Sequence, residues 1–520
     1  MTDAATKAGW KEWIGLAVLV LPCLLVSMDL SVLFFALPFL SADLAPSGTQ
    51  LLWIMDIYGF LLAGMLITMG SLGDRIGRRR LLLAGAATFG LASILAAYST
   101  SAGMLIASRA LLGVAGATLA PSTLALIRNL FHDSAQRRSA IGIWTAGFAG
   151  GAMLGPIVGG LLLEHFWWGS VFLLNVPIMV LLLVAGRALL PEFRDSGSSR
   201  FDLLGALLSL AFVLPVIYGI KKLAEDGLGP MAVLALVGGL VVGVVFVRRQ
   251  KGLADPVLDV RLFRDRTFSA SIATNALTMF ALAGLSLYSS QYLQLVLGMR
   301  PLTAALWSLP SFLGMPIGVA FATVATRRIR PAYVIGAGLL VAALGFAMLT
   351  QLEVDSSLAV ILAGGAAMAA GVGAVATLVT DLVVAAAPPE RAGAASALSE
   401  TGAEFGGALG IAVLGSVGVA AYRANVGAAV PASLPAEALN AARETLGGAA
   451  EVARGLPERV GEALLRAARE AFVDGLQLTT AIGSAIMVAA AVVATIMLRH
   501  LRPESDQDVP SEPVTTARHE

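Results

Sequence analysis

Hydrophobic and polar positions divide the chain into long apolar runs separated by short charged loops. A helix needs about 20 apolar residues to cross a hydrocarbon core about 30 Å thick. Fourteen runs meet that length, at 14–38, 50–71, 81–99, 103–129, 138–163, 169–190, 201–220, 231–247, 268–297, 302–325, 332–350, 357–385, 391–421 and 473–498. The period-two alternation of a membrane barrel is absent. Helices satisfy their own backbone groups in lipid, so each run is predicted as a helix. The predicted fold class is all-α, a polytopic membrane protein with 14 transmembrane helices.

The charged loops then give the runs a direction. Arg75, Arg78, Arg79 and Arg80 follow the second run, Arg137 and Arg138 the fourth, and Arg194 and Arg200 the sixth. Arg248, Arg249, Lys251, Arg261, Arg264 and Arg266 follow the eighth, and Arg327, Arg328 and Arg330 the tenth. The loops after the first, third, fifth and eleventh runs carry no arginine or lysine. Basic loops stay cytoplasmic, so both termini are expected in the cytoplasm. An apolar stretch too long for a signal-peptide core follows "MTDAATKAGWKEW", and this reads as an uncleaved first span.

Composition agrees with this reading. Of 520 residues, 57% are hydrophobic and 13% charged, against about 25% charged in a soluble protein. A net charge of +1 argues against a nucleic-acid partner, and the natural surroundings are the lipid bilayer. One cysteine, Cys23, excludes an internal disulfide and a cysteine metal cluster, and the four histidines have no ligand spacing. No metal and no cofactor are expected. Two segments stand apart from the runs. The polar tail at 499–520 has the composition of a disordered segment. The loop at 422–472, rich in Ala, Leu, Glu and Arg, predicts two or three short amphipathic helices against the outer mouth.

An ionised side chain at mid-bilayer costs on the order of 2.5–3.5 kcal/mol, yet the runs contain acids. Asp29 lies mid-way along the first, Asp56 near the outer end of the second, and Asp381 toward the inner end of the twelfth. Glu400 and Glu404 lie at i, i+4 in the thirteenth and share one helix face. No lysine is read inside the spans. Trp53, Tyr58, Trp144, Tyr288, Tyr292 and Trp307 are candidate ring faces for a cation, although an interfacial belt position explains an aromatic residue equally well.

Four motifs carry a resemblance. "GSLGDRIGRRR" holds Gly70, Asp74, Arg75, Gly77 and Arg78 in a tight corner after the second run. "SRALLGVAGA" places Arg109 inside the fourth, and "GFAGGAMLGPIVGG" places Gly155, Pro156, Gly159 and Gly160 inside the fifth. "MDLSVLFFALP" surrounds Asp29. Together and in this order they resemble the major facilitator superfamily, its fourteen-span drug:proton antiporter branch, and within that branch the QacA-type multidrug exporters. The likeness runs from about Trp10 to Leu498.

The resemblance implies two six-helix bundles plus two inserted helices. Their limits are 10–190 for the first bundle, 201–247 for the insertion and 268–498 for the second bundle, with the 422–472 extracellular loop inside it. It further implies a bacterial cytoplasmic membrane protein, a monomer, driven by the proton gradient without a cofactor. Asp29, Arg109, Glu400 and Glu404 are expected in proton coupling. Asp29, Asp56, Trp53, Tyr58, Glu400, Glu404, Tyr292 and Trp307 are expected in substrate binding. Met315 stands where QacA-type exporters carry an acid, which bears on dication recognition.

Acids held at membrane depth suit an exchange in which protons and lipophilic organic cations take turns neutralising them. The expected function is a proton-coupled multidrug efflux antiporter for quaternary ammonium biocides and dyes. The alternatives are a dedicated exporter of an endogenous metabolite or antibiotic, and a membrane scaffold or enzyme. The sequence has no nucleophile–base pair, no metal spacing and no phosphate-binding loop, which argues against an enzyme.

Overall fold

An apolar run in lipid has no hydrogen-bonding partner except itself, and the computed structural model answers with helices. It describes residues 8–192, 202–253, 261–386, 392–426 and 436–501. Among these, fourteen helical spans are long and apolar enough to cross a membrane. In chain order the helices are α1 (Trp10–Leu44), α2 (Gly48–Ile76), α3 (Arg78–Ala97), α4 (Ala102–Leu130), α5 (Ser134–His165), α6 (Ser170–Leu173) and α7 (Asn175–Leu189). Then come α8 (Leu203–Asp226), α9 (Pro230–Gly252), α10 (Arg266–Gln291), α11 (Pro301–Phe312), α12 (Gly314–Ala325) and α13 (Pro331–Leu349). The last are α14 (Leu358–Ala385), α15 (Ala392–Val426), α16 (Ala436–Glu444), α17 (Leu446–Arg454) and α18 (Glu458–Leu498).

The boundaries follow from local chemistry. Ser47, Ser101, Asp133, Asp202 and Asp265 each accept a bond from a backbone N–H in the first turn that they cap. Pro230, Pro301 and Pro331 open α9, α11 and α13, where a missing N–H has no consequence. Three predicted spans are less regular than a continuous helix. The sixth is divided at Leu174 into α6 and α7. The tenth breaks at Leu313, between Pro310 and Gly314, into α11 and α12. The ninth ends in a π-helical turn, Tyr292–Val296.

Helices α1–α7 pack among themselves, with α5 on α1, α4 on α2 and α3, and α7 on α3 and α1. Helices α10–α15 and α18 form the second group. Close approach of α5 to α1 needs small residues. A Cβ on Gly155 would lie 2.0 Å from Ser31 Oγ, and one on Gly160 would lie 2.7 Å from the Leu302 backbone across the boundary with α11. Pro156 sits inside α5, and Gly159 faces Val32. The two groups meet through α2 with α15, α5 with α11 and α1 with α10.

Helices α8 and α9 form a hairpin that packs mainly on itself. Val213, Leu214 and Ile217 of α8 reach Trp53 and Phe60 of α2 and Phe405, Ala408, Leu409 and Ala412 of α15. The opposite side of the hairpin exposes Leu204, Leu207, Leu234 and Val241, as a lipid-facing surface would. The 422–472 segment contributes α16, α17 and the first turns of α18, so its third helix is continuous with the last span. Residues 427–435 of that segment and 502–520 of the tail lie outside the described residues.

Candidate functional site

At the end bearing the 422–472 segment, the two groups are bonded together. Ser290 Oγ donates to the Phe34 carbonyl at 2.7 Å, and Gln294 Nε2 donates to the Phe35 carbonyl at 3.1 Å. The Gly48 N–H donates to Glu444 at 2.8 Å, while Arg423 pairs with the same carboxylate. Below this seal lies a cavity of about 430 Å³ between α1, α2, α10, α14 and α15. Its walls are mostly apolar, with Leu30, Phe34, Met55, Met279 and Leu282, and they carry three carboxylates: Asp56, Glu400 and Glu404. Glu400 and Thr380, on the wall nearer the basic loops, are exposed. The cavity therefore opens toward the basic-loop end and is closed at the other.

Four of the five intramembrane acids fall into two kinds. Among the described residues, Glu400 and Glu404 have no ion-pair partner, and their shared helix face lines the cavity as the spacing predicts. Asp29 and Asp56 are paired. Asp29 of α1 forms a salt bridge with Arg109 of α4, and both side chains are almost fully buried. Asn175 Nδ2 of α7 lies 3.4 Å from the second Asp29 oxygen and 3.2 Å from Ser93 Oγ. Arg109 Nε donates to the Ile54 carbonyl at 3.1 Å, and its guanidinium lies 4.6 Å from the centre of the Tyr58 ring. Asp29 thus sits within the first helix group, behind Leu30, and is not among the residues lining the cavity.

Asp56 does line the cavity, but its partner comes from the insertion. Lys221 Nζ of α8 lies 2.9 and 2.8 Å from the two Asp56 oxygens and 3.8 Å from the centre of the Trp53 ring. The absence of lysine from the spans, read from the sequence, is therefore corrected. Helix α8 runs past residue 220 to Asp226, and Lys221 is 1% exposed. At that depth a carboxylate and a ring face receive the lysine.

The remaining predicted residues separate from the cavity. Tyr292 is fully buried, with its hydroxyl donating to the Glu353 carbonyl at 2.7 Å. Trp307 is 46% exposed on α11. Met315 of α12 is also exposed, and Asp381 is exposed beside Thr380. Trp144 Nε1 donates to Thr123 at 3.0 Å; Tyr288 donates to the Gly415 carbonyl at 3.1 Å. Cys23 is buried, its Sγ 3.4 Å from Thr123 Oγ1.

The corner between α2 and α3 is built from the motif residues. Asp74 and Arg78 pair at 2.5 Å, while Arg75 is exposed. Gly77 has φ +112°, a conformation that L side chains rarely adopt, and a Cβ there would lie 2.3 Å from Glu192 Oε1. Gly70 faces Pro121 of α4. Glu192, which the motif reading does not include, receives the Arg79 N–H at 3.2 Å and lies 3.7 and 3.6 Å from the Arg79 and Arg80 side chains. This ties the corner to the end of α7.

The Major Facilitator Superfamily model matches residues 21–411. The multidrug efflux pump LfrA of Mycolicibacterium smegmatis is 46% identical over 498 residues, covering 96% of this chain and 98% of the pump. The methyl viologen resistance protein SmvA of Salmonella typhimurium is 37% identical, over 89% and 94%. The tetracenomycin C resistance and export protein of Streptomyces glaucescens is 31% identical, over 98% and 95%. Among solved structures, a bacterial homologue of the human lysosomal transporter Spinster, inward-facing and unoccupied, superposes with a TM-score of 0.63 at 18% identity. It covers 95% of this chain and 98% of its own, and shows the shared fold.

Proposed function

The chain belongs to the Major Facilitator Superfamily and is a multi-pass efflux transporter of the bacterial plasma membrane, and from that premise we propose that it exports lipophilic organic cations in exchange for protons. The observation that carries this reading is the pair Glu400 and Glu404, two carboxylates on an apolar cavity without a countercharge among the described residues. A volume of about 430 Å³ lies within the ~300–1,000 Å³ range of small-molecule sites. Apolar walls receive the hydrocarbon part of a quaternary ammonium compound or dye, and the acids receive its charge. A proton on either acid removes that attraction, so proton and cargo compete.

The basic loops support a cytoplasmic position for the open end, and on that reading the described conformation is the one that loads cargo. Export then needs the outer bonds of Phe34, Phe35 and Gly48 to open while the inner end closes. Asp29 and Arg109 act in coupling rather than in cargo contact. Protonation of Asp29 removes the charge that holds Arg109, leaving the guanidinium on Tyr58 and Ile54 alone and changing how α1 packs on α4. Each proton moving inward releases about 2.3 kcal/mol per 100 mV. No cofactor enters this cycle. The names of the relatives support efflux of organic compounds in general, and the unpaired acids favour cations over anions among them. Export of one dedicated antibiotic remains the second reading, supported by the likeness to the tetracenomycin C exporter.

Ethidium efflux from cells expressing the protein tests the proposal. Efflux is expected to stop when a protonophore collapses the gradient, and persistence of efflux would refute proton coupling. In an Asp29→Asn variant, cargo binding is expected to survive while proton-driven export is lost.

A further inference from the structure

The insertion of α8 and α9 has no place in a two-bundle exchange cycle, yet it sends one charged side chain to the cavity wall. Val213, Leu214, Ile217 and Lys221 follow one another along a single face of α8. The first three pack into the seam between α2 and α15. Lys221 lies one turn further on, with its ammonium on both oxygens of Asp56 and over the Trp53 ring. A carboxylate combined with an indole face is the chemistry that receives an organic cation. Here that place is taken by a cation belonging to the chain.

We propose that Lys221 is a built-in cation occupying the Asp56–Trp53 subsite, and that it thereby sets the charge class of the cargo in favour of monocations over dications. The inference rests on the cationic-cargo reading above. Glu400 and Glu404 lie on adjacent turns of one helix and make a single anionic centre. Asp56 lines the same cavity from another helix, α2, and so would provide the second centre that a bis-cation needs. With Lys221 seated, Asp56 contributes no net charge and only one end of a bis-cation finds an anchor. The nearby Arg109, held by Asp29 on the far side of Tyr58, adds no anionic anchor.

The test is binding of tetraphenylphosphonium, a monocation, and dequalinium, a bis-cation, to the full chain in lipid nanodiscs. Lys221→Met is expected to raise affinity for dequalinium relative to tetraphenylphosphonium at least tenfold. Removing the exposed acid as well, in Asp56→Asn/Lys221→Met, is expected to return the ratio toward that of the unaltered protein. An unchanged ratio in Lys221→Met with tetraphenylphosphonium still bound overturns the proposal, as does a gain that persists in the double variant. Should Lys221→Met fail to fold, Asp56→Asn alone is compared with the double variant. The lysine then stands unneutralised at the cavity, so the single variant is expected to bind tetraphenylphosphonium at least tenfold more weakly than the double. Equal affinities overturn the proposal. If the unaltered protein binds neither cation, the cationic-cargo reading itself fails; if it binds tetraphenylphosphonium and only the variant pattern is wrong, the role of Lys221 alone fails.

Discussion

The two helix groups treat four of their intramembrane acids in opposite ways. In the first, Asp29 and Asp56 each meet a cation, Arg109 and Lys221, at hydrogen-bonding distance and almost out of reach of solvent. In the second, Glu400 and Glu404 face the cavity with no cation beside them among the described residues. A paired acid is part of the packing, because removing either partner strands a charge. An unpaired acid on a wet cavity wall holds little of the fold together and remains open to protons and cargo. On the reading proposed above, the first group holds and switches helices, and the second carries ligand charge.

Arg109→Ala strikes that contrast hardest. It leaves Asp29 unpaired, a loss of about 3–5 kcal/mol for a broken buried pair. Thermal unfolding in detergent is expected to show a large drop, and a variant that melts like the parent would erase the distinction. Next is the Asp56 pair, which separates charge from packing. Asp56→Asn alone is expected to destabilise by about 3 kcal/mol, whereas the double variant with Lys221→Met returns to within about 1 kcal/mol, since a buried pair exchanged for groups of similar volume is often neutral. Glu404→Gln comes third. The melting point is expected to stay near that of the parent while tetraphenylphosphonium binds at least tenfold more weakly, or about 1.4 kcal/mol.

The smallest effect belongs to a control outside the spans. Asp202 caps α8 and pairs with Arg249 at 2.5 Å. Burial pushes its carboxyl up, but bonds from Arg249, the Gly205 N–H and Gln250 outweigh this and hold it below its ordinary value. A lowered carboxyl stabilises the fold above the unfolded-state value of about 3.9 and loses that contribution as pH falls through the folded-state value. Asp202→Asn is therefore expected to cost about 0.5–1 kcal/mol at neutral pH and progressively less as pH falls below about 3.9, as read by melting across that range. A larger cost than that of the Asp56 pair would invert the ranking of buried over peripheral pairs.

The sequence carried the span count and the shared face of Glu400 and Glu404, since both depend on residues close along the chain. It also singled out Asp29 and Arg109 as unusual, but not as partners, because 80 positions separate them and local periodicity says nothing about which helices touch. Lys221 was hidden for a related reason. It falls just past the run read as 201–220, where a lysine looks like the end of a span, and only the packing of α8 against α2 shows that the helix continues with that residue inward. The aromatic candidates sorted by helix rotation. Trp53 turns to Lys221 of α8 and Tyr58 to Arg109 of α4, while Trp307 of α11 is exposed. A signal for Lys221 does exist in retrospect: Asp56 beside Trp53 calls for a cation, and "GIKKLAED" offers one at matching depth on a neighbouring run.

Cys23 makes the chain convenient for spectroscopy. Its thiol is fully buried against Thr123 and is the only one present, so maleimide dyes or spin labels will attach to engineered surface cysteines without the native residue first being replaced. Reporter pairs placed on the outer ends of α1 and α10 could then follow the distance between the two halves in an otherwise unaltered chain.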